Sequence, residues 1–159
     1  MRETNSTLEW HHAREEFVAN ELLGKAPYVK GAVSDINGHR VYAVWTRVYS
    51  NADTTQTHGN TMHILRIVVE DEDLDLDATD YHPDHIAGIA SVLRVAQKEA
   101  HDWQMNEIEL WNPNPRSLAA ALSVDPHAHL IHRDEESIAS LMWYGEEDII
   151  DWQDSEKYG

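Results

Sequence analysis

Apolar side chains return every three to four residues near the start of the chain, the spacing of a helix that buries one face. The stretch from Leu8 to Leu23 is predicted to be this helix, with Thr7 as its N-cap and Gly24 just after its end. Arg14, Glu15 and Glu16 are expected to face solvent. The expected buried stripe consists of Trp10, Ala13, Phe17, Leu22 and Leu23.

Alternation of side chains replaces the helical spacing after Pro27 and predicts a β-hairpin. Its strands are expected over residues 28–36 and 39–49. The dipeptide Asn37-Gly38 between them is typical of a type I′ turn, because both turn residues need positive φ. Both faces of the second strand are largely apolar, which predicts a central strand covered on both sides.

The strongest fold signal is the stretch from Met62 to Asn114, in which an apolar run, an acidic linker, an amphipathic helix and a second apolar run follow one another. The runs 62–69 and 107–111 are predicted strands. The apolar spacing from Asp84 to about Gln104 predicts the helix. A right-handed crossover through this helix would make the two strands parallel or nearly so within one sheet.

The chain is therefore predicted to be one mixed α/β (α+β) domain over residues 1–159, with a long central crossover helix and hairpins on both sides of it. This element order resembles the GNAT acetyltransferase fold apart from its first strand. A short helix at 116–122 and a last hairpin from 130–133 and 140–144 complete the sheet region. The expected parts are an N-terminal helix at 1–25, the sheet and crossover helix at 26–145, and an acidic tail at 146–159.

Charge narrows the range of partners. Lys and Arg total 12 and Asp and Glu total 29, so the net charge is −17. Such a surface repels nucleic acids and anionic membranes, and it serves solubility or favours a basic partner. The chain has no cysteine, no apolar run near the length of a membrane span, and a start unlike a signal peptide. These features predict a soluble protein of the cytosol or the nucleus, and a cytoplasmic location is the one expected here.

One charged residue falls among apolar ones. Arg47 lies on an apolar face of the predicted central strand, where a buried guanidinium needs a carboxylate or a bound anion. Glu15 and Glu109 are the candidate partners, and both an ion pair and a ligand contact remain open. Trp45, Trp111 and Trp143 lie in predicted strands and are expected in the core.

Eleven histidines raise the question of a metal site. His82 and His85 lie near a helix start, and His127, His129 and His132 form an H-x-H-x-x-H cluster. Without cysteine, zinc would need ligands from separate segments, and no spacing fixes such a geometry. The acidic linker resembles a calcium loop, but Ala78 replaces the required glycine. No metal site is predicted.

Several segments together resemble one family, the fungal lysine acetyltransferases, over nearly the whole chain. The longest matching segment is GNTMHILRIVVEDE at 59–72. The others are EWHHAREEF at 9–17, VYAVWTR at 41–47 with its Trp45-Thr46-Arg47, ELWNP at 109–113, Pro115-Arg116, RDEESIASLMWYG at 133–145 and Glu156-Lys157-Tyr158. The similarity is to the C-terminal half of these enzymes, which transfer acetyl from acetyl-CoA to the side-chain amine of free lysine.

The resemblance implies a division of labour between two domains. The glycine-rich coenzyme loop of the family belongs to an N-terminal GNAT domain, which is the expected partner; a homo-oligomer is a further possibility. The family pattern of a coenzyme loop is matched here only in spacing, with His85 in the place of Arg or Gln ahead of Gly88 and Ala90. Gly88 is expected to serve close packing instead.

The chain is accordingly expected to be a catalytically degenerate domain that binds no acetyl-CoA itself, and to be inactive in isolation. The preceding acidic linker supports this expectation, since its carboxylates would repel a pyrophosphate. The resemblance also implies contacts to a lysine substrate. The candidate substrate-binding residues are His11, Arg14, Arg47, Trp143 and Tyr144, and no catalytic residue is assigned.

Overall fold

The computed structural model describes residues 3–53, 58–70 and 82–131, with side chains from residue 7 onwards. Three helices and four strands form one α/β unit. In chain order they are α1 (Glu3–Leu23), β1 (Gly31–Ile36), β2 (His39–Tyr49), β3 (Asn60–Val69), α2 (Pro83–Asp102), β4 (Glu107–Leu110) and α3 (Pro115–Val124).

The four strands form one mixed sheet in the order β1-β2-β3-β4. β1 and β2 pair antiparallel around Asn37 and Gly38, whose φ values of 53° and 88° confirm the predicted turn. β2 and β3 are also antiparallel, while β3 and β4 are parallel, as the crossover through α2 predicts. A bulge in the β2–β3 pairing falls between Val44 and Trp45.

The hydrophobic core lies between α2 and one face of the sheet. Gly88 brings the helix against β2, because a methyl group in its place would lie 2.7 Å from Val41 Cγ2. This agrees with the predicted close packing. The core consists mainly of Val41, Ala43, Trp45, Met62 and Ile64 from the sheet and Ile89, Val92, Leu93, Ala96 and Ala100 from α2.

Helix α1 contacts β2, but not through the predicted stripe. The Trp10 and Phe17 side chains are 58% and 69% exposed, whereas Glu15 and Ala19 are buried. The prediction that Glu15 faces solvent was therefore wrong. The prediction of Thr7 as N-cap was wrong too, since the helix begins four residues earlier at Glu3. The physical reason is a buried charge on β2 that requires a carboxylate from α1.

The C-terminal part is described as far as Ile131. Asn114 caps α3 by accepting a hydrogen bond from the Ser117 N–H through its side chain. Leu130 and Ile131 are not in a strand, and the rest of the predicted second hairpin and the tail at 146–159 lie outside the described residues. Among the helices that the structure describes, none has the length and apolar character needed to cross a membrane.

Candidate functional site

Arg47, near the end of β2, joins both helices through its guanidinium. Nη1 donates to Glu15 Oε1 of α1 at 2.7 Å, and Nη2 donates to Glu99 Oε2 of α2 at 2.7 Å. Both groups also reach the Val29 carbonyl oxygen, at 3.2 and 3.3 Å. The guanidinium carbon lies 5.2 Å from the centre of the Trp103 ring. Both terminal nitrogens of Arg47 are therefore engaged, whereas its buried Nε has no hydrogen-bond partner among the described residues.

The Glu15 carboxylate accepts three hydrogen bonds. It accepts from Arg47 Nη1, from the Arg47 backbone N–H at 3.1 Å, and from Lys30 Nζ at 2.8 Å. The predicted partner Glu15 is confirmed, whereas Glu109 was wrong, because Glu99 takes the second place beside Arg47. Because the Arg47 guanidinium is bonded to a carboxylate from each helix, this charge cluster joins α1, β2 and α2.

A cavity of about 460 Å³ lies on the α1 face of the sheet. Strand pairing between β3 and β4 stops at Ile64 and Leu110, while β3 continues to Val69 paired with β2. The cavity lies where this pairing ends. It is lined by His11 and Arg14 from α1, Thr46 and Val48 from β2, His63, Ile64 and Leu65 from β3, and Trp111 just after β4.

Strand alternation places several polar side chains of β3 and β4 beside this cavity. His63 and Glu109 are direct partners in the β3–β4 register, with His63 Nδ1 at 3.4 Å from Glu109 Oε2. Thr61 donates a hydrogen bond to Glu107 at 2.7 Å in the same way. Trp111 follows on this side and is 52% exposed, so its assignment to the core was wrong. Trp45 is fully buried, as predicted.

The residues that line the cavity include basic side chains although the whole chain is strongly acidic, and the Glu109 carboxylate lies beside the cavity next to His63. The titratable lining residues among those described are His11, Arg14 and His63, and none of those lining residues is a carboxylate. Arg14 also lies over the Trp10 ring, 5.8 Å from its centre. Arginine and histidine beside a tryptophan face suit a small ligand with an anionic group and some apolar surface.

The start of α2 is where a GNAT coenzyme pyrophosphate would bind, and the residues present do not fit it. The Asp84 N–H donates to the His82 ring at 3.3 Å, and the His85 N–H donates to the His82 carbonyl at 3.0 Å. The Asp84 carboxylate lies in the first helical turn and accepts from Asn37 Nδ2 at 3.1 Å. Two amides are thus already bonded, and a negative charge opposes an anion.

Gly88 offers no room for a coenzyme either. Glycine in a phosphate loop lets the ligand approach the backbone, but here the space beside Gly88 is filled by Val41. His85, in the place of the family's Arg or Gln, contacts the His39 ring, with 3.1 Å between His85 Nε2 and His39 Nδ1. No step of a reaction is therefore assigned to acetyl-CoA in this domain.

The sequence-predicted site residues fall in three places. His11 and Arg14 lie together on the cavity wall. Arg47 lies in the buried charge cluster with Glu15 and Glu99. Trp143 and Tyr144 lie outside the described residues. Sequence reasoning missed His63 and Trp111 as cavity residues, although strand alternation places His63 on the face opposite the buried Met62 and Ile64.

Two crystal structures that are similar to this chain are of TTHA1254 from Thermus thermophilus. A point mutant gives 13% identity and a TM-score of 0.44, covering 82% of this chain and 93% of that one. The wild type gives 14% and 0.41, covering 84% and 94%. No curated protein matches significantly.

A family model described as the LYC1 GNAT-like C-terminal domain matches residues 4–159. This match spans all three helices and the whole sheet but for the first residue of α1. It agrees with the resemblance read from the sequence and with a mixed sheet crossed by one long helix. The chain belongs to the family of LYC1 GNAT-like C-terminal domains.

Proposed function

We propose that this domain supports acetyl transfer to the side-chain amine of free lysine as a non-catalytic half that contacts the amino acid and leaves acetyl-CoA to another domain. GNAT proteins generally use acetyl-CoA. The observation that carries the proposal is the distribution of charge. The helix start that would hold a pyrophosphate carries the Asp84 carboxylate, while the cavity between α1 and the sheet carries Arg14 and two histidines.

The cavity lining supports the carboxylate end of an amino acid as the ligand group. The planar guanidinium of Arg14 offers several charged N–H donors, and the rings of His11 and His63 offer further nitrogens for hydrogen bonding. A charge-assisted hydrogen bond is worth roughly 1.5–3 kcal/mol, which corresponds to about a 10- to 100-fold effect on affinity. The amine end of lysine would then point toward the catalytic domain, where the acetyl group is supplied.

Binding of lysine can be tested by NMR on the 159-residue chain. Lysine is expected to shift the resonances of His11, His63 and the Trp111 indole, whereas lysinamide, which lacks the carboxylate, is expected to leave them in place. Arg14→Gln should abolish the lysine shifts. Arg94→Gln is the matched control, because Arg94 is exposed on α2 and does not line the cavity.

Equal shifts with lysine and lysinamide would show that the carboxylate is not recognised. The absence of any shift up to tens of millimolar lysine would remove the cavity from the proposal.

Coenzyme binding is tested separately by calorimetry with acetyl-CoA. No heat of binding is expected at concentrations up to about a millimolar, because Asp84 and the filled space beside Gly88 oppose the ligand. Micromolar affinity, accompanied by turnover of lysine, would show that the domain is itself catalytic. Calorimetry on a GNAT enzyme with an intact glycine-rich loop serves as the positive control.

The partner in this proposal is an N-terminal catalytic GNAT domain, and the shared compartment is the cytoplasm. The exposed rings of Trp10 and Phe17 on α1 support a docking face, because they lie about two turns apart on the outer side of the helix. Trp10→Ser with Phe17→Ser is expected to weaken association with that domain. Unchanged association would place the interface elsewhere.

A second candidate function is a non-enzymatic interaction module for a basic partner. The net charge of −17 favours it, since oppositely charged surfaces associate faster and more tightly at low salt. A complex of this kind weakens steeply with added salt, whereas lysine recognition inside a cavity depends on salt much less. Salt titration of each complex therefore separates the two functions.

A further inference from the structure

Three imidazole rings meet where the β1–β2 turn lies against the start of α2. The His39 ring centre lies 4.4 Å from that of His82 and 4.8 Å from that of His85, and the two helix-start rings are 5.5 Å apart. His39 and His85 also approach through ring nitrogens at 3.1 Å. The rings come from distant segments, so only the fold brings them together.

A carboxylate completes this group. His39, His82 and Asp84 each present one ligand atom, and the three atoms lie within 4.8 Å of one another. Asp84 is held in place by the Asn37 side chain, whose Nδ2 donates to Oδ2 at 3.1 Å. His82 Nδ1 lies 3.8 Å from the same oxygen. The His82 ring is exposed, so an ion can reach the group from solvent.

We propose that His39, His82 and Asp84 form a binding site for a divalent transition ion of the zinc type. Two imidazoles and one carboxylate are a common ligand set for Zn²⁺, with solvent completing the coordination. Bound ligand atoms at about 2.0–2.1 Å from zinc are about 3.3 Å apart, so the side chains close by roughly 1–2 Å. His85 orients His39 through the ring-nitrogen contact, and Asn37 orients Asp84.

The expected affinity is moderate. Three protein ligands leave the site open, and the positive end of the α2 dipole opposes a cation, while Asp84 partly offsets it. We therefore expect one ion per chain with a dissociation constant in the micromolar range. Imidazole ligands favour Zn²⁺, Ni²⁺ or Cu²⁺ over Mg²⁺ and Ca²⁺, which prefer oxygen ligands.

The test is calorimetry with Zn²⁺ on the full chain after treatment with a chelator. Millimolar Mg²⁺ is kept in the buffer, because it saturates weak binding to the many surface carboxylates. His39→Gln and His82→Gln should each weaken Zn²⁺ binding by at least about 10-fold. Asn37→Gly, which keeps a residue suited to positive φ but loses the amide donor, should weaken it by roughly 10-fold.

The control variant removes two of the three competing histidines of the H-x-H-x-x-H segment. His127→Gln with His129→Gln is expected to leave the zinc affinity unchanged. Asp84→Asn is a near-isosteric second test of the group, and circular dichroism confirms that each variant is folded. The proposal is overturned if His39→Gln, His82→Gln and Asp84→Asn all bind like the wild type, or if the control variant alone loses the ion.

Discussion

The buried charge cluster around Arg47 makes the strongest prediction about stability. Glu15 is fully buried and accepts hydrogen bonds from Arg47 Nη1 at 2.7 Å, from the Arg47 N–H at 3.1 Å and from Lys30 Nζ at 2.8 Å. Glu15→Gln keeps the size of the side chain but removes its charge. It also turns an amide NH₂ toward groups that are themselves donors, so at least one contact becomes unfavourable.

The size of the effect follows from what Arg47 retains. Removal of one partner from a buried ion pair destabilises by about 3–5 kcal/mol. Arg47 still has Glu99 at 2.7 Å and the Val29 carbonyl at 3.2 Å, which places the variant near the lower end, at about 3 kcal/mol. For a domain of this size each kcal/mol lowers Tm by about 2–4 °C, so a fall of about 6–12 °C is expected.

Urea unfolding of Glu15→Gln, followed by circular dichroism, measures this loss. Glu16→Gln is the matched control, because Glu16 is the next residue on α1, is half-exposed and meets Lys30 at 3.3 Å. A surface pair of this kind contributes about 0–1 kcal/mol. The triple variant Glu15→Leu, Arg47→Met and Glu99→Gln should recover most of the loss, because it removes the two fully buried charges together with the Glu99 charge that pairs with Arg47.

Equal changes in the free energy of unfolding for Glu15→Gln and Glu16→Gln would refute the ion-pair explanation, and so would a triple variant that is less stable than Glu15→Gln alone. Either result would mean that the ion pair does not determine how α1 packs on the sheet.

Three further predictions concern single positions. Gly88→Ala should lower the free energy of unfolding, measured in urea, by about 1–2 kcal/mol. The added Cβ would lie 2.7 Å from Val41 Cγ2, and this overpacking exceeds the gain in helix propensity. Val41→Ala in the same chain should relieve the overlap. Burial raises the pKa of Tyr49 from 10.0 to about 12, so the native state keeps a proton that the unfolded chain has released. Stability should therefore fall as pH rises from 10 toward 12, and Tyr49→Phe should lack that fall in a pH series of unfolding curves. Trp10→Ser and Phe17→Ser should each change stability by less than about 0.5 kcal/mol in the isolated chain, because both rings are exposed; losses of 2 kcal/mol would indicate a buried stripe.

Local sequence was sufficient where local physics decides the structure. The turn at Asn37-Gly38 needs positive φ at both residues, and the alternation after it fixes β2 to its observed ends. The parallel pairing of β3 with β4 follows from the length and amphipathic spacing of α2. A family resemblance carried by long motifs then indicated the family that the comparison confirms.

The orientation of α1 is the clearest failure of the pattern. Its apolar spacing predicted that Trp10 and Phe17 would be buried, whereas the helix turns Glu15 and Ala19 inward. A periodic pattern shows which residues are able to be buried, but it does not show which charges elsewhere need a partner. Arg47 lies 32 residues from Glu15, and its pairing outweighs the stripe.

The site itself was decided by tertiary structure. Strand register places His63 beside Glu109, and the end of the β3–β4 pairing opens the cavity that His11 and Arg14 share. The turn between β1 and β2 carries His39 to the start of α2, 46 residues before His85. The sequence alone determined the three helices and four strands that the structure describes, their order and the family. Three features required the fold: the pairing of Arg47 with Glu99 instead of Glu109, the cavity with its basic residues, and the histidine group. Each depends on contacts between distant segments that no local spacing encodes.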